Sequence, residues 1–209
     1  MRATRQILLA SQNRAKFEEF TYLFSGTGFG ELSMASDFVR NADKIQHVEV
    51  FQTYEENALA KARLVSMCAH YPVLSDDSGL EVRALDMRPG VKSNRYAVAQ
   101  PGQSQSDANC AKLLAAMADK TDRFARFVCA LVFMVEGVEV LARGVLEGSI
   151  TEERRGRDGF GYDPIFMPNG SQKTLAEMGV EKHVISHRAL AVRDLVRQLE
   201  QHALAIVRP

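Results

Sequence analysis

The stretch VLSDDSGLEV, residues 73–82, constrains this chain more than any other. Its apolar residues read as a buried strand, yet Asp76 and Asp77 stand side by side within it, followed at once by Ser78 and Gly79. Adjacent carboxylates repel, and burial raises the pKa of each, so the pair is comfortable only if exposed, hydrogen-bonded or neutralised by a cation. Turn chemistry favours all four residues, so one reading is a solvated turn that ends the strand. The other is a divalent cation site. Mg2+ prefers hard oxygen ligands and is commonly held by one or two carboxylates together with substrate phosphates.

The bulk of the chain narrows the classes. Its 209 residues suffice for one sizeable domain, or one domain with two lobes, and 46% hydrophobic with 25% charged content is ordinary for a globular protein. Lys plus Arg equals Asp plus Glu at 26 each, so no global field attracts nucleic acid or an anionic membrane. Any anion site must be local. Cys68, Cys110 and Cys129 lack metal-ligand and redox spacing and fit reduced, packed thiols. The only early apolar run, ILLA, is too short for a signal-peptide core, and no run approaches a membrane span, so a cytoplasmic protein is expected.

Along the chain, residues 5–10 read as a short strand. RAKFEEFTYLF then places Phe17, Phe20, Leu23 and Phe24 on one helical stripe, with Asn13 as N-cap. Lys16 falls in that helix's first turn, where the macrodipole disfavours a cation unless an anion is near. A strand, a polar loop and a helix start carrying a lysine make a phosphate cradle, although Glu18 and Glu19 could also compensate Lys16. Residues 25–48 read as a loop and an uncertain short strand. Thr53-Tyr-Glu-Glu56 is a capping box opening a helix over 54–69, with Asn57 and Lys61 four apart on a polar edge that could meet the carboxylate strand.

Further on, Pro89-Gly90 marks a turn within a basic loop, and residues 97–107 read as a mobile linker before a helix over 107–120. Two apolar runs separated by Glu136-Gly137 form a β-hairpin, with Gly144 and Gly148 suggesting bulges. A charged loop at 151–159 leads into GFGYDPIF, where the glycines permit close backbone approach and Phe160 and Tyr162 offer flat faces to a base; a turn entering a core strand is the alternative. Ser186 caps a final helix to about 207, with Val192, Leu195, Val196, Leu199, Ala203 and Ile206 on its buried stripe. His187 and Arg188 in its first turn again put cations where an anion is preferred.

Cationic helix starts and a paired carboxylate strand fit a polyphosphate bound with a divalent metal, and the aromatic-glycine segment adds a base pocket. Such a set supports attack of water on phosphorus. Ser11-x-Asn13-x-x-Lys16-x-x-Glu19, Thr53-Tyr-x-Glu-Asn57 with Lys61, Asp76 to Leu80, Gly159-Phe-Gly-Tyr-Asp-Pro164 and Ser186-His187-Arg188, taken in order, closely resemble the Ham1 family of inosine triphosphate pyrophosphatases. The resemblance implies an α/β fold, an elongated mixed β-sheet flanked by helices with two lobes around a central substrate cleft, within one catalytic domain over 1–209. It also implies a homodimer that hydrolyses non-standard purine triphosphates such as ITP, dITP and XTP to monophosphate and pyrophosphate with Mg2+.

Carried over by residue, Ser11, Gln12, Asn13, Arg14, Ala15 and Lys16 hold the triphosphate. Asp77 is proton acceptor and metal ligand beside Asp76, Glu49 stands where a further metal-binding acid is expected, and Lys61 is a second catalytic lysine. Ser78 contacts substrate; Phe160, Gly161, Tyr162, Asp163, Lys182, His187 and Arg188 line the base pocket. Lys182 and Arg188 would donate to a 6-keto oxygen, which adenine replaces with an amino donor. The chain departs from the family's pattern at Asp86-Met87-Arg88, where a small glycine-rich turn is usual, and at Lys92 and Asn94, changes that bear on specificity. Alternatives are a pyrophosphatase for a pyrimidine or modified nucleotide, and a nucleotide-binding regulator without catalysis.

Overall fold

A computed structural model describes residues 6–40, 45 and 47–201. Among the described residues seven strands form a mixed sheet: β1 (Gln6–Leu9), β2 (Glu31–Met34), β3 (Val73–Val82), β4 (Arg88–Gly90), β5 (Phe124–Val135), β6 (Val138–Ile150) and β7 (Phe166–Pro168). They are hydrogen-bonded in the order β2-β1-β3-β5-β6-β7, with β4 paired to β3. The helices are α1 (Arg14–Phe24), α2 (Tyr54–Ser66), α3 (Gln105–Ala116), α4 (Leu175–Met178), α5 (Lys182–Ile185) and α6 (His187–Gln201). The chain divides into two compact units. Unit 1 comprises residues 1–77, 129–144 and 188–209, and unit 2 comprises 78–128 and 145–187.

In unit 1, β1 pairs in parallel with both β2 and β3. Alternation along these strands divides the apolar residues between two layers. Ile7, Leu9, Leu74, Leu131 and Phe133 pack with Phe20 and Phe24 of α1 and Ala191, Val192, Leu195 and Leu199 of α6. Leu8, Ala10, Val73, Val132 and Met134 pack with Ala58, Ala62 and Val65 of α2. The helices start where their caps say: Asn13 accepts from Lys16 N, and Thr53 accepts from Glu56 N. The strand-like 5–10 segment is observed over 6–9, and Arg5, Ala203 and Ile206 lie outside the described residues.

Unit 2 gathers Leu80, Val82, Phe127, Ile150, Ile165 and Phe166 around Cys110, Leu113 and Met117. Here several sequence expectations change. Residues 88–90, expected as a turn, pair antiparallel with β3, because Asp86 and Met87, at φ 54° and 61°, supply the reversal one step earlier. The helix expected from 107 begins at Gln105, since Ser104 takes the cap by accepting from Asp107 N. The segment before it is tied down rather than loose: Ala97 N donates to Asn109 Oδ1 at 2.8 Å and Gln105 Nε2 to Ala97 O at 2.7 Å. Gly148 is no bulge towards β7, where the register Gly148↔Pro168, Ser149↔Met167, Ile150↔Phe166 is unbroken. It is needed because a Cβ there would lie 2.3 Å from Met167 O.

Candidate active site

The acids do not end their strand. β3 runs through Asp76 and Asp77, and both are buried, so the solvated-turn reading fails. Successive side chains of a strand point to opposite faces, which is how two neighbouring carboxylates are accommodated. Asp76, in phase with Leu74, accepts from Lys16 Nζ of α1 at 2.7 Å. Asp77, in phase with Val73, accepts from Asn57 Nδ2 of α2 at 2.9 Å. Lys61, one turn beyond Asn57, is only 2% exposed; its Nζ donates to the Asp76 backbone carbonyl at 2.5 Å and to Glu49 Oε1 at 2.6 Å. Two helices on two faces thus deliver two lysines to one strand.

The electrostatics separate the two acids. Burial would raise the Asp76 pKa, but Lys16, Lys61 and Arg188 outweigh it and hold the carboxyl well below its usual range. For Asp77 burial wins, aided by Glu49 and opposed by Lys61, Lys16 and Asn57, and its pKa is pushed up to about 6. Burial likewise disfavours the Lys61 ammonium, yet Asp76, Glu49 and Asp77 raise its pKa above the ordinary value, so it stays charged. The outcome is a permanently ionised Asp76 and an Asp77 able to exchange a proton near neutrality.

Arg188 keeps different company from that expected. Its Nη1 donates to Glu19 Oε2 at 3.0 Å and its Nε lies 3.9 Å from Asp76 Oδ2, so within unit 1 it belongs with the carboxylates. Glu19, weighed in the sequence only as a compensating charge for Lys16, is buried; its spacing of three from Lys16 puts both on one face of α1, a signal readable in the sequence. Glu18 pairs instead with Arg14 at the surface. Ser11 Oγ accepts from Asn13 N at 3.1 Å, shaping the loop before α1, while Gln12 is exposed and Ala15 half-buried.

In unit 2, Lys182 Nζ donates to Asp163 Oδ2 at 2.7 Å, and the same oxygen accepts from Phe160 N at 3.0 Å. The ammonium also lies 5.1 Å from the Phe160 ring centroid. Gly159 makes this turn possible: at φ +78°, a Cβ there would fall 2.1 Å from Asp163 Oδ2. Tyr162 is a correction. Its ring is packed in the core and its hydroxyl donates to Ser93 O at 2.8 Å, so it fixes the turn rather than presenting a face to a base. His187 is buried and stacked on Phe127, with ring centroids 4.6 Å apart and planes 8° apart. Ser78 is half-buried in β3.

The donor set also sorts the expected metal ligands. Among the described residues no group of three or more His, Cys, Asp or Glu is assembled to hold a metal. Asp76, on the other face of β3 from Asp77, gives its Oδ2 to Lys16. Asp77 and Glu49 lie close enough for the charge on Glu49 to raise the Asp77 pKa. Two carboxylates are what a Mg2+-type ion takes from a protein when phosphates complete its shell.

A mixed sheet whose strand β3 carries a proton-exchanging aspartate beside one held by a lysine, with a second lysine donating to the same strand, defines a hydrolase-type site for a phosphorylated substrate. The chain belongs to the Ham1 family, which it matches over residues 7–198. It is 40% identical over 202 residues to a dITP/XTP pyrophosphatase of Bacillus licheniformis, covering 94% of this chain and 99% of that one. Among solved structures it resembles the Ham1 protein of Staphylococcus aureus, with TM-score 0.78 and 34% identity over 95% of this chain and all of that one. A Ham1 protein of Coxiella burnetii gives TM-score 0.77 and 36% identity over 94% and 99% of the two chains.

Proposed function

We propose that this chain hydrolyses non-standard purine nucleoside triphosphates, dITP, ITP and XTP, to the monophosphate and pyrophosphate. The observation that carries the reading is the pairing of a fixed anion with an exchangeable one: Asp76 held by Lys16, and Asp77 set near neutral pKa between Asn57, Lys61 and Glu49. Full-length relatives that bear the name dITP/XTP pyrophosphatase support the substrate class.

The loop 11–16 and the start of α1 receive the triphosphate, with Lys16 supplying positive charge at a helix N-terminus. Asp77 accepts a proton from water as the water oxygen attacks phosphorus; the phosphoanhydride bond breaks and pyrophosphate leaves. Lys16 and Lys61 stabilise the charge that builds on the transferring and departing oxygens. A divalent cation, proposed to be Mg2+ and held by Asp77 and Glu49, would supply charge neutralisation to the phosphates. Lys182, oriented by Asp163, has ammonium donors to offer a 6-keto oxygen, and the amino group of adenine would meet them donor to donor.

A homodimer in the cytoplasm is proposed from the resemblance, with no nucleic-acid or membrane partner. The balanced charge favours neither, and among the described residues no helix is long and apolar enough to cross a membrane. Measured pyrophosphate release from dITP, XTP, dGTP, ATP and dTTP tests the substrate class. Selective release from dITP and XTP is expected. Preference for dTTP would turn the reading towards a pyrimidine nucleotide.

A further inference from the structure

Within unit 2 the first two turns of α3 hold two loops at once. Asn109, 3% exposed, uses its whole side-chain amide: Nδ2 donates to Ser93 O at 3.1 Å and Asn94 O at 3.2 Å, and Oδ1 accepts from Ala97 N at 2.8 Å and Gln105 Nε2 at 3.0 Å. On the same helix, Ser106 Oγ accepts from Gly161 N at 3.2 Å, and Cys110 Sγ donates to Gly161 O at 3.2 Å. Burial pushes the Cys110 thiol up to about 11, so it remains a donor. The circuit closes through Tyr162, whose hydroxyl shares Ser93 O with Asn109. Ser93 is further fixed by Leu80 N donating to its Oγ at 2.8 Å and by its own donation to Gly90 O at 2.6 Å.

We propose that Asn109 is a positioning residue for base selection, acting through Ser93 and Tyr162 to hold the 159–163 turn, with Ser106 and Cys110 gripping the same turn directly. This rests on the reading that Phe160 and Lys182 meet the base. A buried amide with all four of these hydrogen bonds satisfied rigidifies the backbone it holds. Discrimination by hydrogen bonds depends on such placement, because a donor displaced from the keto oxygen no longer separates one base from another. The chemical groups of unit 1 are not among its partners, so the chemical step is spared.

The test compares kcat and KM for dITP and dATP, which differ in the 6-keto and 6-amino groups, in wild type, Asn109→Ala, Ser106→Ala and Leu113→Ala. Leu113 is buried on the same helix in the core cluster that also holds Cys110 and Tyr162, and its side chain makes none of the circuit's hydrogen bonds. Asn109→Ala is expected to lower the dITP preference in kcat/KM by roughly tenfold, the loss of about one buried hydrogen bond's discrimination, mostly through KM and with kcat within about twofold. Ser106→Ala, a milder change, is expected to move the ratio the same way by a few-fold and serves if Asn109→Ala does not fold. Leu113→Ala should lower the melting temperature and leave the ratio alone. An unchanged ratio in the folded Asn109 and Ser106 variants, or an equal change in Leu113→Ala, overturns the proposal. Lys182→Ala separates the two levels: if it too leaves the ratio unchanged, the base-recognition reading itself has failed.

Discussion

Asp76 and Asp77 are consecutive in β3 and are gripped from opposite faces, Asp76 by Lys16 of α1 at 2.7 Å and Asp77 by Asn57 of α2 at 2.9 Å. One strand step thereby creates two carboxylates of different character. Repulsion between neighbours is relieved by the pleat, and burial acts on an acid compensated by three cations in one case and on a less compensated acid in the other.

Removing each charge should therefore have opposite consequences. Asp76→Asn leaves Lys16 and Arg188 short of a buried counter-charge and is expected to destabilise the fold by about 3–5 kcal/mol. Asp77→Asn removes a carboxylate that is unfavourably ionised at pH 7.5, so stability should hold or rise while turnover falls by at least about 10²-fold. Denaturant titration and pyrophosphate release on both variants check this.

The pH profile of stability should show the same division. Asp77, with its folded pKa raised to about 6, contributes stability that is full below pH 4 and is lost as pH rises through 6, on the order of 3 kcal/mol. Asp76, with its folded pKa depressed, contributes stability that is present above pH 4 and is lost as pH falls below it. Metal-free protein melted from pH 3 to 8 should be most stable near pH 4–5. Asp77→Asn should abolish the decline between pH 4 and 6.

A cation held at Asp77, as proposed, would compete there with a proton. Mg2+ affinity, measured by calorimetry in the presence of a non-hydrolysable triphosphate, should weaken by up to tenfold for each pH unit below about 6. Glu49→Gln should weaken it above that range and move the onset of the dependence to lower pH, because Glu49 helps to raise the Asp77 pKa.

Gly159→Ala should break the turn in unit 2. The added methyl meets Asp163 Oδ2 and Lys182 Nζ at a φ that L side chains rarely adopt, at an expected loss of about 1–3 kcal/mol in stability. KM for dITP should rise by at least tenfold with a smaller change in kcat, read from steady-state kinetics.

Met87 sits at φ 61°, in the left-handed region, beside Asp86 at φ 54°. Met87→Gly relieves that strain and should stabilise the protein by about 0.5–1 kcal/mol in urea titration with turnover unchanged.

Local chemistry made the caps at Asn13 and Thr53, the helices they open and the Glu136-Gly137 turn readable from the sequence, because each depends on residues a few positions apart. The meeting of Asn57 and Lys61 with the acidic strand was foreshadowed by their spacing. What escaped depends on distant partners. Ten residues of β3 form one strand only because Lys16, Asn57 and Lys61 arrive from elsewhere to compensate its acids. Arg188 joins Glu19 across a sequence separation of 169, and Tyr162 spends its hydroxyl on Ser93, 69 residues away. Neither pairing leaves a periodicity to detect.

The most direct measurement is pyrophosphate release from dITP and ATP, with Mg2+ and with chelator, by wild type and Asp77→Asn. Rapid Mg2+-dependent release from dITP by wild type, little from ATP, and at least about 10²-fold less from the variant is the expected result. Equal release by wild type and variant would contradict the role given to Asp77, and equal use of dITP and ATP would contradict the selection of non-standard purines.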